Sequence, residues 1–306
     1  MIKELNVSEI SLEGNLFVGI DGGGTKCKAR LENEKGQLLA EAMTGPANAA
    51  RDLSGSIKNI IRACEMCLKS AGLAQERLQD LHVGIGLAGI NIPSVKAAFE
   101  EIKLPFASYQ VTTDLHIACL GAHKGQSGTV VIVGTGSSGI AVNSEYQVIL
   151  GGHGFQVGDK GSGAWIGKTA LAHCLEALDG IVEPNSLTHA IMSHLDCNKT
   201  IDLVAKTVSA PPSFFASLSP LVFELANNNQ KEALSIVEEA AHYISKLSAQ
   251  LLQHSPSRLS FIGGVSIALS EYFPEALKSQ ILPAQLPPES GAILFIKSTQ
   301  IIESFS

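Results

Sequence analysis

The chain has few charged residues and no run of basic ones. Charged residues make up 17% of its 306 residues, and 22 Lys and Arg against 29 Asp and Glu give a formal net charge of -7. A basic patch is the usual electrostatic signature of proteins that bind nucleic acid or anionic membranes. The composition therefore argues against both kinds of partner.

Long apolar stretches are also missing. The clearest apolar run, Val130 to Val133, falls far short of the roughly 20 residues that span a bilayer. Residues 1–15 mix charged and polar side chains and lack the apolar segment of a secretory signal. We therefore expect a cytoplasmic protein in which residues 1–15 form a loosely attached extension.

Metal-binding spacings are absent from the six cysteines and nine histidines. Cys64 and Cys67 form a C-x-x-C with no second pair, inside a run whose apolar residues recur every three or four positions. That spacing predicts the buried face of a helix, with both thiols acting as small hydrophobes in a reducing compartment. Trp165 and the pair Phe214-Phe215 are interpreted as core residues.

Glycine, in contrast, is abundant, and its placement is informative. Most of the 29 glycines fall in clusters at 19–24, 84–89, 134–139, 151–167 and 263–264. Glycines that follow apolar runs are typical of loops that need positive φ or that bring backbone close to a ligand.

Strand and helix patterns alternate, which predicts an α/β protein. Residues 17–42 read as a strand, a glycine turn and a hairpin, and residues 130–150 repeat that order. Helices are predicted at 52–71, from Pro93, at 161–178, 186–195, 199–208, 214–228, 229–253 and 289–298, and further strands at 81–87, 108–113 and 259–262. The length favours two domains, which we place at 1–115, completed by a C-terminal helix at 290–306, and at 116–289.

Two glycine patterns imitate a dinucleotide-binding fingerprint. Gly134-Gly136-Gly139 leads into a hairpin and lacks the helix that must hold a pyrophosphate. Gly84-Gly86-Gly89 has a following helix, but its first glycines fall within the strand itself. An NAD-dependent dehydrogenase is therefore kept only as an alternative. A P-loop at 161–169 is rejected, because its glycine spacing is one residue too long.

A phosphate site is suggested by the segment Asp21-Gly22-Gly23-Gly24-Thr25-Lys26. Backbone N–H groups of such a turn can converge on phosphate oxygens, Thr25 and Lys26 can add a hydroxyl and a charge, and Asp21 can hold hydrated Mg²⁺. An ordinary hairpin would read the same way. The second turn, Gly134-Thr135-Gly136-Ser137, favours phosphate binding, because two such loops can clamp one polyphosphate.

These motifs, in order, resemble the BadF/BadG-type ATPase family of the actin, hexokinase and Hsp70 superfamily. The resemblance is closest to its N-acetylglucosamine and glucosamine kinases. It rests on the DGGGTK turn, on Thr112-Thr113-Asp114, on the GTGSSG turn, and on Gly151 to Gly154 leading to Gly158-Asp159-Lys160-Gly161-Ser162. It implies a two-domain actin-like (ribonuclease H-like) ATPase fold, with duplicated α/β domains facing a cleft.

The resemblance also implies an activity, namely ATP-dependent phosphorylation of the 6-hydroxyl of N-acetylglucosamine with MgATP. A glucosamine kinase is the first alternative. An ATPase that activates a radical dehydratase and a regulator that senses a sugar are the others. We expect a small-molecule amino-sugar substrate, no nucleic-acid or membrane partner, and a homodimer.

Site residues carry over from the resemblance by position. Asp114 would be the catalytic base, although an aspartate there could equally cap the following helix. Gly22 to Thr25 and Gly134 to Gly136 would hold phosphates, and Gly263, Gly264 and Val265 would contact adenosine. The sugar would be lined by Asn48, Ser138, His153 and Asp159, the last of which could also be a helix cap. The 84–89 cluster is interpreted as close backbone approach beside the sugar pocket.

Overall fold

The computed structural model describes residues 14–255 and 257–303, and of residues 299–303 the backbone alone. The predicted N-terminal extension, residues 1–15, therefore lies almost wholly outside the described residues. The chain divides into two compact units. The first takes in the chain up to Gln126 and again from Ala284, and the second runs from Ser127 to Pro283.

The first unit is a mixed sheet with helices on both faces. Its elements are β1 (Leu16–Gly22), β2 (Cys27–Asn33), β3 (Leu38–Thr44), α1 (Leu53–Ser70), a 3₁₀ helix (Gln75–Asp80), β4 (Leu81–Leu87), α2 (Pro93–Glu100), β5 (Ser108–Thr112), α3 (Asp114–Ala122) and, last in the chain, α12 (Pro288–Glu303). The strand order is β3-β2-β1-β4-β5. β1 pairs antiparallel with β2 and parallel with β4.

Side chains alternate between the two faces of β1, as the period of a strand requires. Val18 and Ile20 are buried in the main core of this unit, which includes the apolar face of α1. Phe17 lies on the opposite face and packs with Ile293 of α12. Asp21 is four residues after Phe17 in the same strand, so its side chain points to the same face of the sheet, the one covered by α12.

The second unit repeats this plan with a smaller sheet. Its elements are β6 (Gly128–Val133), β7 (Ser137–Val142), β8 (Gln147–Gly151), α4 (Gly163–Leu178), α5 (Ser186–His194), α6 (Thr200–Thr207), α7 (Pro212–Ala216), α8 (Ser219–Asn227), α9 (Lys231–Leu252), β9 (Leu259–Ile262), α10 (Gly264–Ser270) and α11 (Glu275–Lys278). The strand order is β8-β7-β6-β9, and β9 is parallel to β6. The predicted repeat is confirmed, since in each sheet an antiparallel three-strand meander gains a parallel strand beside its first strand.

The boundaries of the units differ from the pattern-based ones at 115/116 and 289/290. The chain passes between units after Gln126 and after Pro283. The reason is the packing of α3, which lies against α12 so closely that a Cβ added at Gly291 would overlap the Ile117 carbonyl. α3 is thereby held in the first unit.

The helices predicted in the second unit agree with the structure, except for the one predicted at 214–228. That segment divides into α7 and α8, and Pro220 stands in the first turn of α8, where proline is tolerated because its missing N–H has no partner there. α10 and α11 carry no prediction from the sequence. Trp165, Phe214 and Phe215 pack in or against the core of this unit, as expected.

Gly84 and Gly86 allow the close backbone approach that was predicted for the 84–89 cluster, and the neighbours that approach are helices of the same unit. A Cβ at Gly84 would overlap the carbonyl group of Ala292, and one at Gly86 would overlap the side chain of Ile117. Both glycines lie inside β4 and let α12 and α3 pack directly on the sheet. Gly84 and Gly86 therefore do not form a dinucleotide fingerprint. A Cβ at Gly89 would stand 3.1 Å from Asn48 Oδ1, and the position of this cluster beside the sugar pocket stays a prediction.

Candidate functional site

The first glycine turn joins β1 to β2 and presents its backbone. The register ends at the pair Gly22 and Cys27. The N–H of Gly23 donates to the carbonyl of Lys26 (3.0 Å), and the Gly23 carbonyl accepts from Ala47 N–H (2.9 Å). Gly24 has no atom within 4 Å of the place where a Cβ would stand. The turn is therefore internally fixed while the space around Gly24 is open to a ligand.

Thr25 and Lys26 complete this turn as exposed residues. Lys26 lies near enough to Asp21 for its positive charge to lower the pKa of that carboxyl. The predicted phosphate-binding segment thus combines open backbone, a hydroxyl and a cation in one short loop.

Three carboxylates gather behind the turn, on the α12 face of the sheet. Burial, then the charges of Glu289 and Asp114, raise the pKa of Asp21 to about 6. Lys28 Nζ lies 3.2 Å from Glu289 Oε1. The second oxygen of Glu289, Oε2, is buried without a hydrogen-bond partner among the described residues. Negative charge here exceeds what Lys28 neutralises, so the cluster favours a proton or a cation.

The raised pKa of Asp21 makes a prediction for stability. A carboxyl whose pKa in the folded protein exceeds its ordinary value of 3.8 destabilises the fold as pH rises from 3.8 through about 6. Asp21→Asn removes that cost, so the variant should gain about 3 kcal/mol at about pH 7.5 and only about 0.5 kcal/mol at about pH 4. Urea unfolding of both proteins at the two pH values measures the difference. An equal gain at both would contradict the prediction.

Asp114 stands at the first position of α3, and it is not the helix cap. Thr113 is the N-cap, and its side chain accepts from His116 N–H. Asp114 Oδ1 accepts from the adjacent Leu115 N–H (3.0 Å). Burial raises the pKa of Asp114, against the lowering effect of its backbone hydrogen bonds. A half-buried carboxylate with a raised pKa, free of capping duty, is suited to accept a proton.

Asn48 belongs to the same unit. It forms an isolated bridge with Ala88, beyond the end of β4. Its Oδ1 accepts from Arg51 N–H (3.2 Å). The first unit thus supplies the predicted Asn48, the carboxylates Asp21 and Asp114, and the first glycine turn.

The second glycine turn lies between β6 and β7 and is anchored by α4. Gly134 N–H donates to the Gly136 carbonyl (2.9 Å). The first N–H groups of α4 donate back to the turn, from Gly163 to the Gly134 carbonyl (2.8 Å) and from Ala164 to the Thr135 carbonyl (3.2 Å). These bonds fix the turn and leave Thr135 exposed.

Ser137 does not fit the role that its motif predicts. Its side chain is buried, and its hydroxyl donates to the carbonyl of Lys160 (2.8 Å). The serine therefore ties the start of β7 to the 151–162 loop. The Ser137 hydroxyl is therefore not assigned to phosphate binding.

The loop from Gly151 to Ser162 brings the predicted sugar residues of this unit together. Asp159 has φ 57°, a left-handed conformation that is costly outside glycine. Its Oδ1 accepts from Gly154 N–H (3.3 Å), and a Cβ at Gly136 would stand 2.8 Å from its Oδ2. Burial raises the pKa of Asp159, and nearby His153 opposes the rise.

Asp159 is therefore not the cap of α4, which is Ser162. Ser138 completes the group, since it faces Gly152 of the same loop. Ser138, His153 and Asp159 are polar side chains close to the second glycine turn, and Asp159 has a strained backbone. These are features of a ligand-binding loop.

A cavity of about 760 Å³ opens in the second unit beside that turn. Its lining residues are Gly134, Thr135, Ala216, Ser219, Pro220, Phe223, Glu224, Asn227, Gly264, Val265 and Ala268. The walls are mostly apolar, with a few polar groups, as in most small-molecule sites. The residues on α8 recur at intervals of three and four, which places them on one face of that helix.

Gly263 begins the opposite wall of this cavity. It has φ 107°, and a Cβ there would overlap the carbonyl of Val133, so the sharp entry into α10 requires glycine. Gly264 and Val265 then line the cavity. Of the predicted nucleotide residues, the structure thus brings together Gly134, Thr135, Gly264 and Val265.

The face of α8 was missed from the sequence. Its three-and-four spacing is the same for a face packed in a core and for a face that lines a cavity. The one available signal was the Gly263-Gly264 turn, which marks the other wall.

Residues 18–295 match the model of the BadF/BadG/BcrA/BcrD ATPase family. The chain belongs to this family. The recognition made from the glycine and aspartate motifs is confirmed.

Two curated relatives of this family member are amino-sugar kinases. Glucosamine kinase GspK from Vibrio cholerae is 32% identical over 282 residues, 92% of this chain and 95% of its own. N-acetyl-D-glucosamine kinase from Dictyostelium discoideum is 29% identical over 320 residues, 91% of this chain and 97% of its own.

A crystal structure from Chromobacterium violaceum, provisionally assigned as an N-acetylglucosamine kinase, matches with TM-score 0.85 and 29% identity. The match covers 92% of this chain and 99% of that one. The two-domain actin-like ATPase fold is therefore confirmed for this BadF/BadG-type protein.

The described residues contain neither a metal cluster nor a membrane-spanning helix. Within residues 14–255 and 257–303, no three His, Cys, Asp or Glu side chains are arranged to hold a metal ion. All six cysteines are buried, and burial raises the pKa of the Cys27 thiol to about 12. Over the same residues no helix is both long and apolar enough to cross a bilayer.

Proposed function

We propose that this protein is an ATP-dependent amino-sugar kinase that phosphorylates the 6-hydroxyl of its substrate. The observation that carries the proposal is the cavity of the second unit, which is large enough for a nucleoside and ends at a glycine turn. Family membership and the named amino-sugar kinases among the relatives support it.

Phosphate binding is assigned to the two glycine turns. N–H groups and the open space around Gly24, with the Lys26 charge, suit phosphate oxygens in the first turn. Thr135 and its glycine neighbours suit them in the second. Positioning and charge neutralisation of this kind are most of what phosphoryl transfer needs from a protein.

Mg²⁺ is proposed to enter with ATP and to lie near Asp21. Mg²⁺ prefers oxygen ligands and keeps several of its waters, so one or two carboxylates suffice. Asp21 lies near the carboxylates of Glu289 and Asp114, whose charges add to the effect of burial in raising its pKa, and a bound cation would offset that repulsion. Bound there, Mg²⁺ would supply neutralisation of the phosphate charge.

Asp114 is proposed as the general base. The sugar hydroxyl oxygen forms a bond to the γ-phosphorus, the bond from that phosphorus to the bridging oxygen breaks, and ADP leaves with the electron pair. The hydroxyl proton passes to the Asp114 carboxylate. Its raised pKa favours that transfer.

The sugar is assigned to Asn48, Ser138, His153 and Asp159. Carboxylate, amide, imidazole and hydroxyl groups are the kinds of side chain that bond sugar hydroxyls. N-acetylglucosamine is the proposed acceptor, and glucosamine is the second candidate because the Vibrio cholerae relative bears that name. The homodimer and the cytoplasmic location stay predictions.

A sugar panel tests this function. Purified protein with MgATP should release ADP in the presence of N-acetylglucosamine or glucosamine, at rates at least about 10-fold above those with glucose or N-acetylmannosamine. ADP is followed by a coupled assay, and the product is checked for a 6-phosphate. ADP release that is independent of every sugar would contradict the proposal and favour an ATPase activator or a regulator.

A further inference from the structure

Asn227 is held by a tyrosine at the edge of the cavity in the second unit. Tyr272 donates its hydroxyl proton to Asn227 Oδ1 at 2.6 Å, across 45 residues of sequence. So short a separation is typical of O–H···O bonds and not of amide N–H···O bonds. The pairing therefore assigns the oxygen of the amide to Tyr272.

Tyr272 is itself well fixed. Its N–H donates to the Leu269 carbonyl (2.9 Å), and its ring packs against the core of the unit. Asn227 is the last residue of α8 and lines the cavity. The Tyr272 bond fixes which end of the amide is the oxygen and occupies one of its lone pairs, so the NH₂ group, which only donates, is the end left without a role in this pair.

The position of Asn227 along α8 indicates which part of a nucleotide it meets. The opposite end of the lining face, at Ser219, lies beside Gly163 and the Gly134 carbonyl of the second glycine turn. Asn227 is eight residues further on, about 12 Å along the helix axis at 1.5 Å per residue. If phosphates lie at the turn, Asn227 lies at the far, nucleobase end.

The other polar side chains that line the cavity are poorly suited to donate a hydrogen bond to a nucleobase. Ser219 donates its hydroxyl to the Ala216 carbonyl (2.8 Å) and is buried. Thr135 lies in the turn. Glu224 is an acceptor only, so it cannot serve the ring nitrogens of a base, which accept hydrogen bonds.

We propose that Asn227 recognises the nucleobase of ATP by donating its amide N–H to a ring nitrogen, and that Tyr272 is the positioning residue that orients this amide. The inference rests on the proposed function, because it takes the cavity as the nucleotide site. It adds a base-recognising pair that the glycine motifs do not contain.

A double-mutant cycle tests the pair. Asn227→Ala should raise KM for ATP about 10-fold, as expected for one lost hydrogen bond, and Tyr272→Phe about 3-fold, because the freed amide can flip. The double variant should match Asn227→Ala alone, because Tyr272 acts through Asn227. kcat and KM for the sugar should not change. Additive effects, or an unchanged KM for ATP, would overturn the inference.

Two further variants separate recognition from a structural role. Asn227→Asp keeps an acceptor for Tyr272 but loses the donor, so it should raise KM for ATP as much as Asn227→Ala does. Tyr243→Phe, a tyrosine on α9 packed against the same core, is the matched control and should change nothing. An Asn227→Asp variant with the KM of the wild type would overturn the inference.

Nucleotide analogues identify the contact. Among 1-deaza-, 3-deaza- and 7-deaza-ATP, one should lose about 10-fold in affinity for the wild type and not for Asn227→Ala. Calorimetric titration with these analogues needs no turnover, so it reads out separately from the sugar assay. If the protein binds ATP but none of the analogues discriminates, the pair is not a base reader. If no sugar supports ADP release, the proposed function fails instead.

Discussion

Asp114→Asn is expected to lower kcat for sugar-dependent ADP release about 1,000-fold, within the range that general bases contribute. Asparagine keeps the size of the side chain and can still accept from Leu115 N–H, as Asp114 Oδ1 does. It cannot take the proton of the sugar hydroxyl. KM for ATP should stay within about 2-fold, since the substitution keeps the shape of the side chain and removes an interaction that acts in the transfer step.

The loss cannot be assigned to unfolding. Burial raises the pKa of Asp114, so its charged form costs stability and the neutral asparagine should leave the protein at least as stable. Asp80→Asn is the matched control, because Asp80 is an exposed aspartate of the same unit that pairs with Arg77. That variant should keep its activity.

A pH profile gives a second readout for the same residue. A base with a raised pKa makes the rate fall as pH drops through that pKa, and the acid limb should disappear from the residual activity of Asp114→Asn. Asp114→Asn with more than a tenth of the wild-type kcat would remove Asp114 from the role of base.

Much of the fold could be predicted because it rests on local patterns. The repeat of strand, glycine turn and hairpin at 17–42 and 130–150 corresponds to the two meanders, and the Cys64 and Cys67 spacing identifies the buried face of α1. Such patterns are set by residues near in sequence, so the chain alone carries them.

The less predictable features depend on contacts between distant segments. The Ser137 hydroxyl is occupied by Lys160, and Asn227 is held by Tyr272. No local pattern specifies these pairings, because each joins elements that meet only in the folded unit.

The glycines under α12 show how such contacts shape the sequence. Gly19 of β1 and Gly84 of β4 are direct neighbours in the parallel register. A Cβ at Gly19 would overlap the Glu289 carbonyl, and one at Gly84 that of Ala292. The two glycines thus form a flat patch of the sheet surface without side chains, here called the glycine floor, and the backbone of α12 packs directly on it. The same approach holds Glu289 near Asp21.

Gly84→Ala is therefore expected to destabilise the protein by at least about 3 kcal/mol, at or above the upper end of ordinary overpacking. The atoms that a methyl group would meet are backbone, which cannot swing away as a side chain can, so α12 must lift from the sheet. Gly24→Ala is the matched control for stability, because its Cβ would meet nothing within 4 Å. Urea unfolding followed by circular dichroism measures both. A Gly84→Ala variant within about 0.5 kcal/mol of the wild type, the range of neutral surface changes, would mean that α12 does not depend on this floor.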